Sequence, residues 1–151
     1  MDGAFYVDSK LPFPVTSVPA VSLTAAYQVV APISVIPALG PNYFNYVGKA
    51  IRIRAMGQAT SVATPGNLTF SYLWNNGVTA GAGTLVCGVA LVWIANQTNQ
   101  CFTSEVVIRC RSLGATGSLF GMGFLFLQGT GIIHMPASAP AAVTVDLTQP
   151  N

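Results

Sequence analysis

The side chains able to do acid–base, nucleophilic or metal chemistry are few: Asp2, Asp8, Glu105 and Asp146, the single His134, and Cys87, Cys101 and Cys110. General acid–base catalysis needs two titratable groups with separated pKa values in one cleft. Here two carboxylates lie near one end of the sequence, Glu105 sits in an alternating run, and Asp146 falls in the polar phase of another. Such scattered acids are expected to be solvated or ion-paired, and His134, beside Met135 and Pro136, is expected to be a loop residue. No Gly-x-Ser-x-Gly occurs, and Gly121-Met122-Gly123 lacks the third glycine and the following helix of a phosphate loop. The cysteines show no Cys-x-x-Cys spacing, which with one histidine leaves no zinc ligand set. Their odd number prevents complete pairing within one chain, so free thiols acting as small hydrophobes are expected, in keeping with synthesis in a reducing cytosol. No enzyme, cofactor or metal site is expected.

The cations are Lys10, Lys49 and two pairs, Arg52/Arg54 and Arg109/Arg111. Six in all cannot form the stripe that neutralises roughly six to ten phosphates, so nucleic-acid binding is not expected. Each arginine pair at i, i+2 shares one face of a strand. If the two strands are neighbours, four guanidinium groups crowd together unless Glu105, Asp146 or an acidic partner offsets them. These arginines face either a solvent rim or another subunit, and they are candidate partner-binding residues. The charged fraction of 7% is far below the roughly 25% of a soluble domain, while 52% of residues are hydrophobic. A surface so poor in charge is a solubility liability for a free monomer and is expected where copies or a larger particle cover it.

Two uncharged stretches, 55–104 and 112–145, raise the question of a membrane. A spanning helix needs about 20 apolar residues, and the best window, 113–133, holds six glycines and Gln128, poor helix material. No membrane span is expected. Met1-Asp2-Gly3 lacks the basic and then apolar pattern of a secretory signal, so the sequons at Asn67 and Asn96 are read as chance.

What must position these residues is a set of strands. Residues 1–41 hold six prolines, too dense for a long helix, and read as an extended N-terminal arm with short strands at 21–24 and 27–30. From Gly48 the period becomes two. Over 49–59, Ile51, Ile53 and Ala55 alternate with the arginines; over 68–74, Leu68, Phe70, Tyr72 and Trp74 share a face. Asn75-Asn76-Gly77 reads as a tight turn. Residues 84–95 form a near-continuous apolar strand expected to be buried on both faces or at an interface. In 102–111, Val106, Ile108 and Cys110 oppose Glu105, Val107, Arg109 and Arg111. In 118–128, Phe120, Met122, Phe124 and Phe126 oppose Gly121 and Gly123. A glycine-rich loop and a spacer over 136–140 lead to a last strand with Val143, Val145 and Leu147. Seven or eight strands without an amphipathic helix predict an all-β fold, a jelly-roll-like antiparallel β-sandwich over 42–151.

The ordered blocks TAAYQVVAP, FNYVGKAIRIRAMGQAT, TPGNLTFSYLW, TSEVVIRCRSLGATGSLFGMGFL and VTVDLTQP together resemble small jelly-roll virion structural proteins of tailed bacteriophages. The resemblance spans most of the chain from about Val21. It implies a structural role on the particle, as capsid decoration or cement or as a head or tail fibre component, made in the host cytoplasm and located in the virion. Its partners would be copies of itself, as a homotrimer, and a major capsid or other virion protein. The arm, with Phe5, Tyr6, Leu11, Phe13 and Val15 as anchors, is expected to tie the protein to its neighbour. The rival reading is a tail-tip receptor-binding module in which Tyr43, Phe44 and Tyr46 stack on host glycan.

Overall fold

The computed structural model describes residues 39–74, 83–136 and 142–149. The expected arm with its anchors Phe5, Tyr6, Leu11, Phe13 and Val15, its two short strands and the turn at 75–77 lie outside the described residues. Within them, the period-two stretches become seven strands: β1 (Ala50–Ala59), β2 (Asn67–Trp74), β3 (Thr84–Val92), β4 (Gln100–Ser112), β5 (Gly117–Leu127), β6 (Gly131–Met135) and β7 (Val143–Val145). The fold is all-β and every pairing is antiparallel.

A five-stranded sheet runs β1-β4-β5-β6, with β7 pairing the N-terminal end of β5 on the edge whose other end takes β6. β2 and β3 form a second sheet. Turn chemistry explains the joints. Asn96 and Asn99 adopt positive φ between β3 and β4, which asparagine tolerates. The Ser61 hydroxyl donates to the Ile94 carbonyl at 2.7 Å and accepts from the Gln97 amide at 2.9 Å, tying that turn to the end of β1. The turn from β4 to β5 closes with the Gly117 amide donating to the Gly114 carbonyl at 3.0 Å.

The two sheets face each other across an apolar core of Val86, Cys87, Val106, Ile108, Cys110, Leu119, Leu125 and Met135. Phe70 of β2 meets Phe102 of β4 edge-on at 5.6 Å between ring centroids, and the Tyr72 and Ser104 hydroxyls share a 2.7 Å hydrogen bond across the gap. That bond satisfies two polar groups which burial would otherwise leave costly. Trp74 packs on Phe44 at 5.5 Å, closing one end. Leu39 packs against the core from the chain entering there, and the Asn42 amide donates to the Leu147 carbonyl.

The closest approach of the sheets depends on a β-bulge. Tyr72 pairs Cys87 while Leu73 pairs Leu85, so Val86 is the extra residue, and both Val86 and Cys87 turn inward. Opposite them is Gly121, where an added Cβ would stand 2.5 Å from Val86 Cγ1 and 3.4 Å from Cys87 Sγ. At Gly123 an added Cβ would run into the Glu105 carbonyl oxygen and come within 2.8 Å of Val106 Cα. Glycine inward on β5 is therefore a spatial requirement, and the opposite parity of that strand must point away from the core.

Three expectations need correction. The apolar strand ends at Val92, short of Ala95, and it is not buried on both faces: Leu85, Ala90 and Val92 are exposed on its outer side. Only one face of β3 packs on the large sheet; the bulge adds a second successive residue to that face and the rest alternate outward. Residues 131–135, read as loop, form β6; Gly129 before them and Gly131 at their start take positive φ and punctuate a turn, while Ile132 and Ile133 favour extended backbone. The last strand stops at Val145, although Leu147 remains buried, because Asp146 opens a turn in which its Oδ1 accepts from the Thr148 amide at 2.9 Å and hydroxyl at 2.6 Å.

Gly121→Ala is expected to destabilise by about 1–3 kcal/mol through overpacking against Val86. Combined with Val86→Ala the total loss should fall below the sum of the single losses, because the two sites share one space. Gly123→Ala should cost more and find no such relief, since its obstacle is backbone. Urea midpoints of the four variants check this.

Candidate functional site

The antiparallel registers place side chains of the five-stranded sheet's outer face in rungs across it. One rung runs Met56, Thr103, Phe126, Ile132; the next Arg54, Glu105, Phe124, His134; the next Arg52, Val107, Met122; and the last Ala50, Arg109, Phe120. Each arises from the same local cause. A period of two puts alternate residues on opposite faces, and with Ile51, Ile53, Val106, Ile108 and the β5 glycines turned to the core, the arginines and the Phe/Met stripe are turned out.

Glu105 is the electrostatic centre of this face. Its Oε2 lies 2.8 Å from Arg54 Nε, directly opposite in register, and its Oε1 lies 3.4 Å from Arg52 Nε on the diagonal. The arginines therefore do come onto one face, and a single carboxylate shared by two of them offsets part of the repulsion. Arg109 stands opposite Ala50, its guanidinium against Gly48, and Arg111 lies over the Phe120 ring at 5.8 Å from its centroid. Neither has an acidic partner among the described residues. The face thus carries four arginines against one glutamate.

Beside this charge runs an apolar stripe. Met56 is 74% exposed, Ile132 69%, Met122 58% and Phe126 40%. Met122, Phe126 and Ile132 lie on the neighbouring strands β5 and β6, with Met56 across Thr103 of β4, and exposed apolar side chains of this size, bordered by charge, mark an interaction surface. Ile132 and His134 were not anticipated, having been read as loop. The one signal for them was the β-branched pair Ile132-Ile133 directly after the turn glycines 129 and 131. Met56 is in the same phase as Arg52 and Arg54 and follows from their alternation.

Of the remaining groups, His134 shares this face. His134 and Glu105 flank Phe124 from opposite sides, so the phenyl ring's position separates them in register. Asp146 is fully exposed after β7, its carboxyl held below the usual carboxylate range by the hydroxyl and amide of Thr148. No group of three or more His, Cys, Asp or Glu able to hold a metal occurs among the described residues. No helix among them is long and apolar enough to cross a membrane. Of the rings expected to stack on glycan, Phe44 is a core residue packed on Trp74, a correction that follows from its place at the open end of the two sheets. Lys49 Nζ sits 4.1 Å from the Tyr43 centroid and donates to the Tyr43 carbonyl at 2.7 Å, and Tyr46 is half exposed.

Cys87, Cys101 and Cys110 are free; the first and last are buried and Cys101 is exposed. Burial pushes the Cys87 thiol up to about 11 and raises Cys110 as well, with a backbone hydrogen bond at Ser112 opposing the latter shift in part. Tyr72 is raised mainly by burial. Comparison with protein families, with characterised proteins and with solved structures finds no match to this chain.

Native protein should therefore expose one thiol, Cys101, to a neutral disulfide reagent, and denatured protein three; fewer than three on denaturation would contradict the free-thiol assignment. Because Cys87 binds its proton more tightly folded than unfolded, its contribution to stability is present below pH 9 and is lost as pH rises towards 11. Denaturation midpoints between pH 8 and 11 should fall, and Cys87→Ala should fall less steeply.

Proposed function

We propose that this chain is a structural protein of a tailed-bacteriophage virion, a capsid decoration or cement protein or a head-fibre component, that binds the particle surface and self-associates through the outer face of its five-stranded sheet. It carries no catalytic role. The two packed antiparallel sheets belong, in this reading, to a jelly-roll-like sandwich whose remaining strands come from the rest of the chain or from a neighbour.

One observation carries this: three large apolar side chains, Met122, Phe126 and Ile132, stand in water on the adjacent strands β5 and β6, with a fourth, Met56, on the same face across Thr103 of β4. Exposing them is costly at roughly 25 cal/mol per Å² of apolar surface, and covering them recovers that free energy. The scarcity of charge supports the same conclusion, since a protein with 7% charged residues has little to keep it soluble alone and little to desolvate when packed among copies. The glycan-binding alternative is less well supported, because its central ring, Phe44, is in the core.

The test is attachment. Purified chain added to particles lacking it should sediment with them at a fixed copy number, hundreds for decoration and a dozen or fewer for a fibre or vertex; protein left in the supernatant would count against a virion role. Met122→Lys combined with Ile132→Lys should abolish self-association in light scattering. Both side chains point outward, so the thermal midpoint should stay close to that of the parent, each change costing about 0.5 kcal/mol or less.

A further inference from the structure

The outer face of the large sheet cannot simply pack against the same face of a second copy. Two such faces would bring eight arginines together with two glutamates, and like charges juxtaposed in an interface cost several kcal/mol. Whatever covers the face must bring negative charge to Arg109 and Arg111 and apolar side chains to the Phe120, Met122, Phe124 and Phe126 stripe.

The chain has four carboxylates. Glu105 is already shared by Arg52 and Arg54, and Asp146 is engaged by Thr148. The other two, Asp2 and Asp8, fall in the segment DGAFYVDSKLPFPV, residues 2–15, which sets Phe5, Tyr6 and Val7 between them and follows with Leu11, Phe13 and Val15. Acid and aromatic groups are thus interleaved, and with Lys10 the segment's two aspartates leave a net side-chain charge of −1 to set against a face of four arginines and one glutamate. We propose that residues 2–15 of one copy dock on the outer sheet face of the next copy, aspartates toward Arg109 and Arg111 and aromatic side chains along the β5 stripe.

Reach permits it. Residues 16–38 separate this segment from Leu39, which is anchored at the Gly114–Leu147 end of the sheets, and a chain of that length extends to roughly 75 Å at 3.3 Å per residue. Such a contact is heterologous, segment of one copy to face of the next, and closes into a ring where the rotation allows. It specifies the contact behind the self-association proposed above and rests on that reading.

Charge reversal in the full-length chain tests it. Asp2→Lys with Asp8→Lys, and separately Arg109→Glu with Arg111→Glu, should each weaken self-association by about tenfold or more in analytical ultracentrifugation. Mixing the two variant chains should restore association, because each segment then finds a face of opposite charge; circular dichroism confirms that both variants are folded. If the parent chain associates and the reversals do not weaken it, or mixing restores nothing, the docking proposal is overturned while self-association stands. A parent chain monomeric at all concentrations overturns both. A monomeric parent whose compactness still changes on charge reversal would place the segment on its own sheet, which also overturns the contact between copies.

Discussion

The apolar stripe on the outer face of β5 follows from the lack of room inside at Gly121. The bulge in β3 drives Val86 and Cys87 towards β5, and only a residue without a side chain can lie beneath them. Once glycine faces the core there, a period of two leaves no choice for its neighbours. Phe120, Met122, Phe124 and Phe126, the largest side chains of the strand, are placed on the outside, where apolar surface is costly unless something covers it. A packing constraint in the core thereby creates an interaction face.

That face is unusual in its charge. Pairing β1 with β4 sets Arg54 opposite Glu105 and Arg52 diagonal to it, and the one acidic side chain takes both. Exposed ion pairs of this kind add little to stability, about 0.2–1 kcal/mol each. Their effect is on specificity, since one carboxylate for four arginines leaves the face net positive, with Arg109 and Arg111 lacking an acidic partner among the described residues, and so restricts which partners can approach.

Much of this was legible in the residues. Alternation of Ile51 and Ile53 with Arg52 and Arg54, and of Val106, Ile108 and Cys110 with Glu105 and Arg109, marked strands with one dry face, and the structure has them so. For β5 the alternation showed two faces but not which was inner, because Leu119, Leu125 and Leu127 share the glycine face and both parities are apolar. Only the bulge opposite decides that, and a bulge leaves no mark in local periodicity. β6 was missed because its strand is five residues long and opens on glycines that looked like loop. The pairing of β1 with β4, some fifty residues apart, was no more than one of several possible neighbours. It turned an apparent crowd of arginines into a shared ion pair. Phe44 was read with Tyr43 and Tyr46 as a ring free to stack on glycan, whereas Trp74, thirty residues on, packs on it in the core.

Methionine oxidation measures the central claim directly, since Met56, Met122 and Met135 sample the two sides of the large sheet. Met56 and Met122 are on the outer face and Met135 is fully buried between the sheets. In dissociated, folded chains treated briefly with peroxide, Met56 and Met122 should be converted to sulfoxide while Met135 is spared, and in the assembled state Met122 should become protected. A Met122 protected in the dissociated chain would mean that β5 presents the opposite parity. One oxidised equally fast before and after assembly would mean that the outer face is not what assembly covers.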